Sequence, residues 1–101
     1  MKRERLSNDI RREQILDAAL HMALDEGYPN ITRDGIAKRA SCACGQVNAI
    51  FNTMGQLRRA VMRSAIHHRH LDIIAQGLAA GDEVAKKADD DLKREALETL
   101  L

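Results

Sequence analysis

Apolar side chains recur every three to four residues along most of this chain, the spacing of helices that bury one face. Ile15, Leu16, Ala19, Leu20, Ala23 and Leu24 form the first such stripe. Ser7, Asn8 or Asp9 offers an oxygen able to accept from an orphan N–H at a helix start. Gly27 suits the left-handed stop of a helix end, and Pro29 in Tyr28-Pro29-Asn30 cannot continue one. The pattern predicts a first helix over residues 8–26, preceded by a basic arm over residues 1–6. Thr32 is the next cap, with Asp34 in the first turn, where a carboxylate suits the helix dipole. Ile36, Ala37 and Ala40 give a short second helix over residues 33–40, and Ser41-Cys42-Ala43 a tight connection. A third short helix starts near Cys44, with Val47, Ile50 and Phe51 on one side.

The second half reads as two longer helices. Thr53-Met54-Gly55-Gln56 matches a capping box, in which Thr caps and Gln reaches back. Leu57, Val61, Ala65, Ile66, Ile73, Ile74 and Leu78 then keep helical spacing, predicting one helix over residues 54–79. Gly81 ends it and Asp82 caps a fifth, along which Val84, Ala88, Leu92, Ala96 and Leu100 form an i+4 row. Ala85, Leu97 and Leu101 widen that row, and Asp89-Asp90-Asp91 reads as a solvated acidic face. The fold class expected is all-α.

Composition narrows the picture. The chain has 101 residues, enough for one domain, but only one Phe, one Tyr and no Trp. So alanine-rich a chain either packs as a thin helical domain or completes its core with a partner. No apolar run reaches the ~20 residues of a membrane span. The basic start lacks the apolar stretch of a signal peptide, and two cysteines spaced C-x-C are no secreted disulfide framework. A cytoplasmic, reducing location is expected. Residues 1–70 hold twelve Lys/Arg against seven Asp/Glu, whereas residues 71–101 hold four against eight. Such asymmetry suggests that the first half faces a polyanion.

Other chemistry is thin. Cys42 and Cys44 with His67, His68 and His70 carry zinc-ligand atoms, yet C-x-C is not a finger spacing. Adjacent histidines also diverge by ~100° on a helix, so neither metal nor cofactor is expected. Asp72, His70 and Asp82 form no catalytic constellation, and no glycine loop cradles phosphate. An enzyme is not expected.

The order of a long helix, two short helices joined by a tight turn, and a capped long helix suggests a helix-turn-helix module. Arg12, Ile15-Leu16, Ala18-Ala19, Leu24, Gly27-Tyr28, Ile31-Thr32, Ile36-Ala37, Ala40, Gly45, Val47, Phe51 and Leu57 make the likeness specific. With this ungapped spacing over about half the chain, the sequence resembles the DNA-binding domain of the tetracycline-repressor (TetR) family. Some positions depart from it. The usual Ala-Gly-Val-Ser turn is Ala40-Ser41-Cys42-Ala43, the family's aromatics are Asn48 and Ile50, and its frequent Lys is Met54. Phosphates must therefore be gripped partly by other residues.

The resemblance implies residues 1–53 as the DNA-binding region and residues 54–101 as helices completing the core and forming a dimer. It implies that the third helix enters the major groove, with Cys44, Gly45, Gln46, Asn48 and Ala49 facing DNA. A carboxamide pairs bidentately with adenine, which suits Gln46 and Asn48, and Ala49 fits a thymine methyl. Without that setting, exposed amides are ordinary surface. Thr32, Arg33 and Thr53 sit where hydroxyl, guanidinium and helix N-terminal N–H groups meet phosphate. Lys2, Arg3 and Arg5 would follow a groove as an arm, with Lys38 and Arg39 as secondary candidates. Arg58, Arg59 and Arg63 read as a solvated face.

Relatives in that family carry a longer C-terminal domain that binds an inducer; here about twenty residues follow the fourth helix, so no small-molecule inducer is expected. The expected partners are double-stranded DNA and a second copy. In that dimer, Ile73, Ile74, Leu78, Val84, Ala88, Leu92, Ala96 and Leu100 would form the seam. The function implied is a sequence-specific transcriptional regulator, a ligand-independent repressor acting as a homodimer on a palindromic operator. Two alternatives stand beside it: an antagonist that pairs with another such regulator, and a DNA-architectural or partition factor.

Overall fold

The computed structural model describes the backbone of residues 2–100 and the side chains of residues 8–100. All regular structure among these residues is helical. Helix α1 (Lys2–Glu26) leads through a 3-10 turn (Tyr28–Asn30) into α2 (Arg33–Arg39) and α3 (Cys44–Ile50). Then come α4 (Met54–His67), α5 (Leu71–Ala79), α6 (Glu83–Lys86) and α7 (Asp90–Glu98). None of these helices is long and apolar enough to cross a membrane.

Three expectations about elements need correction. The basic arm is not separate: α1 runs back to Lys2 through Ser7, Asn8 and Asp9, because Lys, Arg, Glu and Leu favour helix and no Gly or Pro interrupts. The helix expected over residues 54–79 is two helices, broken at Arg69 (φ 58°). There His70 N–H bonds back to Ala65 C=O (2.8 Å) and Arg69 N–H to Ile66 C=O (3.2 Å), a left-handed helix stop. The last helix is also two, since α6 is a single turn and the acidic run begins α7. Asp89 stands at its N-cap position, with Asp90 and Asp91 in the first turn. Acidic side chains there favour a helix start through the macrodipole.

The caps at Thr32, Thr53 and Asp82 form as read. Thr32 accepts from Gly35 N–H (3.1 Å), Thr53 from Gln56 N–H (3.0 Å), and Asp82 from Val84 and Ala85 N–H (2.9 Å each). Gln56 reaches back one residue further than expected, accepting from Asn52 N–H at 3.1 Å.

One core runs the length of the chain. Ile15, Ile36 and Val47 pin α1, α2 and α3 together, Leu57, Val61 and Met62 carry the core through α4, and Ile73 and Ile74 through α5. Gly77 lets α5 pack closely, since a Cβ there would displace the Met62 methyl and stand 3.2 Å from Ala85 Cβ. Leu92 and Ala96 of α7 are buried in the same core. The row assigned to a second chain is thus largely spent within this one. Ile73, Ile74, Leu92 and Ala96 are interior, and Leu78, Val84 and Ala88 pack partly buried against them. Folding α5–α7 back buries these positions within the described chain. Leu97 and Leu100 stay 47% and 57% exposed, and Leu101 lies outside the described residues.

Tyr28 joins the two halves. Its hydroxyl donates to Asp82 Oδ2 (2.6 Å), and its backbone N–H donates to Gln76 Oε1. Arg58 donates to the carbonyls of Tyr28 (3.2 Å) and Ile31 (3.3 Å), and lies over the Tyr28 ring. Arg58 is therefore a half-buried clamp rather than part of a solvated face.

Candidate nucleic-acid interface

The α2–α3 pair is held from below and free above. Ile36, Ala37 and Val47 turn into the core, while Gly45, Gln46, Asn48 and Ala49 lie exposed along α3. The turn between the helices is the sharp left-handed kind. Cys42 N–H bonds to Ala37 C=O (3.0 Å) and Ser41 N–H to Lys38 C=O (3.2 Å), with Ser41 at φ 56°. Serine thus occupies a conformation that glycine adopts without steric cost.

Gln46 is partly engaged in its own helix. Its Oε1 accepts from Ala43 N–H at 3.2 Å, closing the start of α3, while the residue as a whole is exposed. Asn48 and Ala49 stand exposed beside it. Cys44 differs from expectation: it is half-buried, and its thiol donates to Asp34 Oδ1 at 2.8 Å. That bond to a carboxylate pushes the thiol's pKa up and ties α3 to the first turn of α2. A reactive thiolate is disfavoured there.

Thr32 and Arg33 open α2 and Thr53 opens α4, as expected, with both threonines exposed and Arg33 half-buried. Asp34 places a carboxylate in the same turn as Arg33, which favours the helix and opposes an incoming phosphate. Lys38 is exposed, but Arg39 is drawn back to α1, bonding Asp25 (2.8 Å) and Glu26 (3.0 Å). The side chains of Lys2, Arg3 and Arg5 lie outside the described residues.

Two residues missed in the sequence join this surface. Asn8 and Arg11 of α1 line a small depression of about 150 Å³ with Gln46, Ala49 and Ile50 of α3. The pair Arg11-Arg12 just ahead of the first apolar stripe was the available signal. On the next face, Arg12 lies 4.8 Å from the centre of the Phe51 ring. Among the described residues, no three of His, Cys, Asp and Glu are grouped to hold a metal ion. His67, His68 and His70 instead cluster at the α4–α5 break, with neighbouring ring centroids 4.9 and 6.0 Å apart.

The arrangement presents an exposed helix with amide and methyl groups, flanked by capped helix starts and arginines. Such a surface can approach a duplex groove and its phosphates at once. No protein-family model matches the chain, and no solved structure does. Over 61 residues it is 38% identical to the uncharacterized HTH-type transcriptional regulator TtgW of Pseudomonas putida. The match takes in 60% of this chain and 46% of that protein, so the chain spans about half the length of the curated relative it matches. The chain is therefore similar, over more than half of its own length, to a protein named as a helix-turn-helix transcriptional regulator.

Proposed function

We propose that this chain is a DNA-binding transcriptional regulator of the TetR type, with α3 lying in the major groove. One observation carries the reading: Gln46, Asn48 and Ala49 stand exposed on a short helix whose opposite side, at Val47, is locked into the core. The likeness to a named regulator supports the same class. In this reading Gln46 and Asn48 read base edges, while Thr32, Arg33 and Thr53 hold phosphates. Lys2, Arg3 and Arg5 add positive charge for phosphate contact in this reading. The regulator acts as a two-fold homodimer on a palindromic operator in the cytoplasm, where it represses by occupancy.

The exposed Leu97 and Leu100 are the apolar positions that support contact with a second copy. Regulation without an inducer is part of the proposal. A depression of about 560 Å³ along α1 is an open groove with Glu13 and Asp17 among its walls, unlike the enclosed sites that bury most of a small ligand. Selection of bound sites from random duplex DNA tests the proposal. Enrichment of an inverted repeat is the expected result. Recovery of no preferred sequence from a folded, duplex-exposed protein would contradict it.

A further inference from the structure

We propose that a second groove beside α3 is a phosphate seat, in which Arg12, Arg59 and Arg63 grip the backbone of the bound duplex. The inference rests on the DNA-binding reading above and names a contact that it does not contain. The groove measures about 320 Å³ and lies between α1 and α4, walled on one side by Ile50 and Phe51 at the end of α3. Three guanidinium-bearing residues line it and no carboxylate does, whereas three other grooves along α1 carry Asp9, Glu13 or Asp17, one of them beside Arg12. Among the described residues, the arginines in ion pairs are Arg39, Arg69 and Arg94, none of which lines this groove. A concave site with one sign of charge concentrates the opposite ion.

The side chains are also placed. Arg12 rests over the Phe51 ring, a cation–π contact that orients its fork. Arg59 folds back toward the first turn of α4, its Nη1 standing 3.7 Å from where a Cβ on Gly55 would lie. Arg63 follows one turn later on the same face, a like-charged i,i+4 pair that is mildly destabilising until an anion sits between. Guanidinium forks match phosphate oxygens in geometry and hold their charge at any working pH. The position is also suitable, because Ile50 forms a wall of both this groove and the depression holding Gln46 and Ala49. A duplex read by α3 brings its backbone past this edge. These arginines supply grip that Asn48, Ile50 and Met54 do not.

The test measures binding of the full chain to a labelled mixed-sequence duplex of about 30 base pairs across a series of salt concentrations, since phosphate contacts are sequence-independent. In the Arg59→Gln, Arg63→Gln variant, both changes fall at exposed positions, and thermal melting reports that the fold is kept. Its binding should weaken severalfold at low salt, and the slope of log K against log salt should fall by about 1. Arg59→Lys with Arg63→Lys should recover most of the slope. Removing the same charge on α6, by Lys86→Gln with Lys87→Gln, should leave the slope unchanged. Wild-type slope and affinity in the arginine variant, or an equal loss in the α6 control, would overturn the seat while leaving DNA binding in place. A wild-type chain that binds no duplex would remove the DNA-binding reading itself, and the seat with it.

Discussion

Tyr28 shows how much one side chain does in a small core. Burial first, and then the hydrogen bond to Asp82, pushes its phenol well above the ordinary tyrosine range. The folded-state pKa is raised over that of the unfolded chain, so its stabilisation is fully present below about pH 10 and is lost as pH rises further. It is the single tyrosine of the chain, so tyrosinate absorbance reports on it alone. The hydroxyl should resist titration past about pH 10 until the protein unfolds; ordinary titration with the fold intact would refute the Tyr28–Asp82 bond. Tyr28→Phe should cost about 1–3 kcal/mol in denaturant melts, because Asp82 loses a buried partner. The interface residues divide by what they touch. Gln46→Ala and Asn48→Ala should relax preference at particular base pairs by about 1–3 kcal/mol each, whereas Arg33→Ala should weaken all duplexes and flatten the salt dependence. Uniform loss in both kinds of variant would mean that α3 does not read sequence.

Helix ends separate what could be read in the sequence from what could not. Thr32, Thr53 and Asp82 were legible as caps because a side-chain oxygen at a helix start has a local partner. Gly81 was legible as a stop, and it takes up φ 77°. Ser41 and Arg69 adopt the same left-handed conformation without announcing it, so the α4–α5 break was invisible to apolar spacing. The stripe Ile73, Ile74, Leu92 and Ala96 was legible as apolar, but periodicity does not say which chain covers it. Arg58 likewise looked solvated until the turn at Tyr28 folded beneath it. Two measurements follow at this scale. Ser41→Gly should stabilise the protein by about 1 kcal/mol, because glycine carries no left-handed penalty; a loss of stability would show that the serine geometry is wrongly assigned. Leu92→Ala should cost about 3 kcal/mol by emptying the α5–α7 contact, and a loss below about 1 kcal/mol would mean that α7 is not docked there.

At the scale of the molecule, the acidic C-terminal third folds onto a basic helix-turn-helix half through Tyr28, Arg58 and Gln76. Val47 and Phe51 anchor α3 to the core, as the proposed base-reading role requires. With Leu92 interior, the proposed dimer is probed at the surface instead. Leu97→Asp with Leu100→Asp should shift sedimentation from dimer to monomer while leaving the melting temperature nearly unchanged; a wild-type chain already monomeric at micromolar concentration would refute the dimer. The central claim is that the outward face of α3 meets DNA. Backbone amide shifts recorded by NMR as a selected duplex is added test it most directly. The account predicts perturbations concentrated at Arg33, Gly45, Gln46, Asn48, Ala49 and Thr53, with α5–α7 little changed. Perturbations confined to α5–α7, or none at all in a complex shown to form, would contradict it.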